Sequence, residues 1–155
     1  MKRDHRYEVN LRWTGNTGPG TENYTSYKRS HEIFSGEKLP LELSSDPVFR
    51  GDRLKYSPEE LFVSALSSCH MLWYLHLCAD AGIVVIDYED RALGIMTENE
   101  DGSGQFLTVI LKPRVRVKSE AMIEKANRLH RNANEMCFIA RSCNFPVRHE
   151  PECYC

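Results

Sequence analysis

Six cysteines, at positions 69, 78, 137, 143, 153 and 155, are the residues here with the widest chemical reach. A cysteine thiolate is a nucleophile, a soft metal ligand or half of a disulfide. An even count suits a disulfide framework in a short secreted chain. The opening Met1-Lys2-Arg3-Asp4-His5-Arg6 is followed by no apolar signal region, so a cytoplasmic location is expected. There, cysteines serve as core thiols, metal ligands or redox groups. No CxxC or HxxxH pair is present and the six histidines are scattered, so no zinc site is expected. Cys153 and Cys155 could take a soft metal between them, but they read more simply as a loose tail.

Cys69 stands in Ser67-Ser68-Cys69-His70, a polar patch inside an otherwise apolar stretch. Small residues precede it (Ser64, Ala65, Ser67, Ser68), leaving room for a substrate or another backbone. The competing reading is a packed core thiol, because free cysteine is among the most buried residue types. Cys137 closes a helical stretch, where a dipole could activate it or a core could hold it. Cys78 reads as core, and Cys143 has no evident partner.

The element that must position Cys69 is the clearest in the chain. Ser57 fits an N-cap, Pro58 the first helical position and Glu60 the capping-box position, and Gly82 ends the helix near residue 81. The helix is apolar on nearly every side, which predicts burial all round. At about 35 Å it is too long for one small domain to wrap, so a second chain is expected to help bury it. Before it, residues 7–13 and 24–34 read as a long-looped hairpin across the Gly-, Pro- and Thr-rich 14–22, with a turn at 35–38 and a short strand at 39–43. Residues 44–56 form an irregular connection. After the helix, 83–98 and 105–117 read as strands, 119–136 as a second helix, 137–142 as a helical turn and 145–153 as an edge strand. The expectation is α+β, one domain spanning 1–155, with sheet wrapped on a central helix.

Composition narrows the function classes. A length of 155 residues suits one domain, and a net charge of −2 gives no electrostatic case for nucleic acid or an anionic membrane. Lys112, Arg114, Arg116 and Lys118 alternate along a strand and read as a solvated face. No uninterrupted apolar run reaches membrane-spanning length.

Ser57-Pro58-Glu59-Glu60-Leu61-Phe62-Val63-Ser64-Ala65-Leu66-Ser67-Ser68-Cys69 resembles the NPEELL-x-A-x-x-A-x-C helix of the OsmC/Ohr family. Cys137-Phe138-Ile139-Ala140-Arg141 resembles that family's second-cysteine segment, usually C-P-x-S, with Phe138 in the place of its proline. The order of elements matches along nearly the whole chain. The resemblance implies an intertwined homodimer of antiparallel sheets around long central helices. It implies a thiol peroxidase without metal or organic cofactor, with Cys69 as peroxidatic thiol, Cys137 as resolving thiol, an organic hydroperoxide as substrate and a dithiol as reductant. It also carries over Glu59, ten residues before Cys69. Ten residues of helix rise about 15 Å, so Glu59 would act on the site of a partner chain. The family's activating arginine lies in the first hairpin loop, and the loop here has none. Arg29 is favoured as its substitute, with Arg50 as the other candidate. The rival reading is a non-catalytic dimer of the same fold that binds a small apolar ligand, with both cysteines inert.

Overall fold

The computed structural model describes residues 3–155. The chain divides into two compact units, residues 1–61 and 62–155, with the boundary inside the first turn of the long helix. Each unit is described by itself.

The first unit holds a three-stranded antiparallel sheet in the order β1 (Asn10–Trp13), β2 (His31–Phe34), β3 (Leu41–Leu43). Register is fixed by pairs such as Asn10 with Phe34 and Trp13 with His31. The ion pair Arg12–Glu32, 2.7 Å across the strands, supports it at the surface. The second strand is shorter than the expected 24–34, because local side chains take up its first half. Asn23 Oδ1 accepts from Thr25 N, and the Trp13 indole N–H donates to Lys28 O at 2.9 Å. Only an isolated bridge, Asn16 to Tyr27, extends the pairing. Asx turns of this kind compete with ladder formation.

The long helix α1 spans Pro58–Asp80. Its start is the predicted capping box: Ser57 N donates to Glu60 Oε2 at 2.8 Å and Glu60 N to Ser57 Oγ at 3.2 Å. Removing such a cap costs about 1 kcal/mol. Its end is Gly82 at φ 72°, the left-handed conformation that glycine adopts without a side-chain penalty. By length and by a mean hydropathy of 1.3 over its best 18-residue window, α1 could cross a membrane. The expectation that no stretch reaches that length therefore holds only for uninterrupted runs, since serines and histidines dilute this one. Nor does this chain bury α1 all round. Only Leu66, His70, Tyr74 and Cys78, four residues apart, are buried, while Leu72 is 61 % exposed.

Two sheets follow in the second unit. The expected 83–98 strand is two strands, β4 (Val85–Asp90) and β5 (Leu93–Glu98), and the expected 105–117 strand is also two, β6 (Gly104–Leu111) and β7 (Pro113–Val117). Both break at one side chain. Asp90 Oδ1 accepts from Lys112 N at 2.7 Å and Oδ2 from the Ser67 hydroxyl of α1 at 2.5 Å, which pins the corner where the chain changes sheet. Gly94 sits where a Cβ would run into Val63 of α1 and Phe106, so β5 and α1 approach closely there. A single-turn 3-10 helix leads into α2 (Ile123–Met136).

The expected last edge strand is likewise two, β8 (Val147–His149) and β9 (Glu152–Tyr154). They run parallel to β6 and β7, at the edges of the sheets β5-β6-β8 and β4-β7-β9. The sheets are thus mixed rather than purely antiparallel, and the cysteine-bearing C-terminus is an ordered strand, not a loose tail. Strand order within these sheets confirms the α+β class.

Beneath α1 the core contains a polar cluster. His70 Nε2 and His130 Nδ1 of α2 share a hydrogen bond of 3.0 Å. The ring of His130 stacks on Tyr74 with centroids 3.8 Å apart, and Cys153 Sγ lies 3.6 Å from Tyr74 Oη and 3.8 Å from His130 Nε2. Cys78 lies close enough to Tyr74 to influence its hydroxyl, and His149 faces His70 from β8. Burial, reinforced by the mutual repulsion of the histidines, lowers His70 to about 4 and His130 to about 3. Both are therefore neutral in the folded protein at neutral pH. The unfolded chain takes up their protons below its ordinary histidine pKa near 6.5, and the fold refuses them until far lower pH. Stability should hold above that pKa and fall as pH drops from about 6.5 toward 4, by on the order of 1 kcal/mol per pH unit for each histidine. Urea unfolding midpoints at neutral and mildly acidic pH measure this, and a midpoint unchanged across that window would contradict the buried pair.

Candidate functional site

Cys69 and Cys137 come together from elements far apart in sequence. The buried stripe of α1 sets its rotation. At about 100° per residue, Cys69 then falls beside that stripe, half-buried, next to inward-pointing His70. Cys137 is the residue on which α2 ends, with an extended backbone at φ −66°, ψ 111°. It then starts the 3-10 turn Ala140–Ser142, whose first amide, Ala140 N, donates to its sulfur at 3.4 Å. The expected further turn at 137–142 is therefore present, although its helical residues begin only at 140.

The two thiols differ in exposure. Cys69 opens onto a cleft of about 600 Å³ lined by Ala65, Leu72, Trp73, Phe138 and Ile139, with Ser68 and His76 as its polar residues. Cys137 is 1 % exposed and lies behind it. Burial pushes the Cys137 thiol up to about 12, and the neighbouring Cys69 side chain adds to the rise. One thiol thus meets the cleft and the other is held protonated near it. At the far end of the cleft His76 Nε2 stands 3.4 Å from Asp80 Oδ2, one turn on.

Ile139 of the cleft wall was not singled out in the sequence, and Phe138 only as standing in the place of the family's proline. The signal lay in the substitution at 138: where the family pattern has a proline, the Phe138 ring packs edge-on against Trp73 at 5.6 Å and walls the cleft. Cys78 is buried, as expected of a core thiol. Cys143 gives its S–H to Ile139 O at 3.3 Å, in the turn that follows Cys137.

The other two expected residues lie in the first unit. Glu59 stands in the first turn of α1, and its Oε2 is buried without a hydrogen-bond partner. The guanidinium of Arg29 is clasped between the rings of Tyr24 and Tyr27, 4.2 and 4.3 Å from their centroids, and donates to the carbonyls of Tyr27 and Tyr24. Among the described residues no group of three or more His, Cys, Asp or Glu side chains is arranged to hold a metal ion.

This geometry makes a labelling prediction. Brief alkylation of the reduced, folded protein should modify Cys69 and spare Cys137, which should react only after unfolding. Peptide mapping reads the result, and equal labelling of the two would contradict the arrangement.

Comparisons with known proteins agree with the fold. The chain has no match among curated proteins. Its fold is similar to a Vibrio cholerae OsmC-like protein of unknown function, at 29 % identity and a TM-score of 0.82 over 96 % of this chain and 99 % of that one. It is similar to an organic hydroperoxide resistance protein from Elizabethkingia anophelis, at 18 % identity and a TM-score of 0.69 over 99 % of this chain and 98 % of that one. It is also similar to one from Bacillus subtilis, at 20 % identity and a TM-score of 0.62 over 97 % and 98 %. The family model described as OsmC-like protein matches residues 51–152, which include both α1 with Cys69 and the segment with Cys137, and the chain therefore belongs to the OsmC-like family.

Proposed function

We propose that this protein is a thiol peroxidase that reduces organic hydroperoxides through Cys69 and Cys137. The observation that carries the reading is the pairing of a cleft-facing thiol with a buried one near enough to raise its pKa. The names of the hydroperoxide-resistance proteins that share the fold support the same class.

The Cys69 thiolate attacks the distal oxygen of the hydroperoxide, and the O–O bond breaks. The leaving alkoxide takes a proton and departs as the alcohol, leaving Cys69 as a sulfenic acid. Cys137 then attacks that sulfur. Its proton leaves with the sulfenic hydroxyl as water, and a Cys69–Cys137 disulfide remains. A dithiol reduces the disulfide by exchange and restores both thiols. The difference between the two thiols suits these roles. A Cys137 held protonated does not compete for peroxide, yet it waits beside the sulfur it must meet. The cleft's apolar walls favour an alkyl or aryl hydroperoxide over hydrogen peroxide.

Glu59 and Arg29 are carried into the proposal from the family pattern, Arg29 as the cation that stabilises the thiolate and Glu59 as its anchor. The unpartnered Glu59 oxygen supports a cation partner, since a buried carboxylate oxygen left without one is costly. Arg29 keeps three of its five N–H donors beyond the two carbonyl bonds. A homodimer is part of the same proposal. The exposed Leu72 and Phe138, 61 % and 67 % accessible, leave apolar surface around α1 for a second copy to cover.

The test is steady-state consumption of an organic hydroperoxide with excess dithiol. Wild type should turn over, and Cys69→Ser should fall to the rate of free dithiol. Cys137→Ser should lose turnover after about one cycle and accumulate over-oxidised Cys69. Arg29→Gln should lower the rate by one to two orders of magnitude if its charge stabilises the thiolate, on the order of 1–3 kcal/mol. Wild-type activity equal to free dithiol would overturn the proposal in favour of an inert apolar-ligand binder.

A further inference from the structure

We propose that a cationic cleft in the first unit, between the hairpin loop and the 44–52 connection, binds a small oxyanion: a phosphate or carboxylate group on a small molecule. The cleft has a volume of about 390 Å³ and is lined by Lys28, Arg29 and Arg50, with Asp52 as its single acid. None of the three cations forms an ion pair with a carboxylate among the described residues. This excess of positive charge stands out in a chain whose net charge is −2. Surface cations without partners are ordinary one at a time, but three converging on one concave surface focus their field within it.

Two of the three are placed by the backbone. Arg29 is fixed by the Tyr24 and Tyr27 rings and by hydrogen bonds of 2.8 and 2.9 Å to the carbonyls of Tyr27 and Tyr24. Its remaining donors form a ready fork for an oxyanion, and little side-chain entropy is left to lose on binding. Arg50 ends the turn Pro47–Phe49 at φ 63°, ψ 28°, with its N–H bonded to Pro47 O at 3.0 Å. Among the described residues it is the only non-glycine with positive φ. A glycine would hold that conformation with less strain, so the sequence keeps a guanidinium at this point at some conformational cost. The hydroxyl-bearing Thr17, Thr25 and Ser30 complete a lining suited to phosphate or carboxylate oxygens.

The site contains no cysteine and its lining residues all belong to the first unit, so its binding of an oxyanion does not require either thiol to react. Arg29 figures in both, Arg50 is the other candidate for the family's activating arginine, and Lys28 belongs to this one alone. Calorimetric titration of the reduced full-length chain with inorganic phosphate, and separately with acetate, tests it at low ionic strength, with chloride at matched ionic strength as control. Saturable binding is expected from at least one of the two probes, and their relative affinities show which oxyanion the cleft prefers. Arg50→Gln and Arg29→Gln should each weaken binding by about tenfold or more, and Cys69→Ser should leave it unchanged. Thermal melting checks that the variants fold, and if Arg29→Gln does not, Arg50→Gln alone decides. Absence of saturable binding by either probe, equal competition by chloride, or wild-type affinity in Arg50→Gln would each overturn the proposal.

Discussion

The rotational phase of helix α1 is the constraint on which the site depends. One stripe, Leu66, His70, Tyr74 and Cys78, is buried, and that choice leaves Ala65, Cys69, Leu72 and His76 facing the cleft. Turning the helix by a single residue would carry Cys69 into the core and break every contact along the stripe. Hydrophobic burial alone sets such a phase loosely, because α1 is apolar on most of its surface. Polar bonds set it tightly. His70 meets His130, Ser67 meets Asp90, and the Tyr74 hydroxyl meets Cys153. Each is a directional bond at a buried or half-buried position, where an unmet partner costs more than an apolar contact gains.

Asp90 extends that control to the sheets. Its carboxylate ties the Ser67 hydroxyl to the backbone N–H of Lys112, so helix phase and sheet corner are fixed at one point. The end of α2 is tied to the same frame through His130, seven residues before Cys137. The close approach of the two thiols is thus the outcome of long-range packing. It follows from no spacing within the sequence, because 68 positions separate the cysteines.

What could be read from the sequence was local. Ser57 and Glu60 announced the start of α1, Gly82 its end, and the cysteine-bearing helix pointed to its family. The features that sequence alone did not reveal are those decided by distant partners. Residues 83–98 and 105–117 look like continuous strands until Asp90 breaks them both at one corner. Cys153 looks like part of a tail until β7 supplies a parallel neighbour and Tyr74 a hydrogen bond. Residues 24–30 have strand-like composition, yet Asn23 and Trp13 take their backbone groups into turns. The histidine pair is invisible in sequence, since His70 and His130 are 60 residues apart and neither lies in a ligand motif. Phe138 was visible as a departure from the family's proline, but its place in the cleft wall depends on Trp73.

The central claim is that Cys69 is oxidised by peroxide and that Cys137 resolves it. Mass spectrometry of the reduced protein after one equivalent of an alkyl hydroperoxide tests it most directly, with digestion under conditions that preserve disulfides. The account predicts a Cys69–Cys137 linked peptide pair, the loss of two hydrogen atoms in the intact mass, and a trappable sulfenic acid on Cys69 when Cys137 is replaced by serine. Unchanged thiols, or a disulfide that leaves out Cys69, would contradict it.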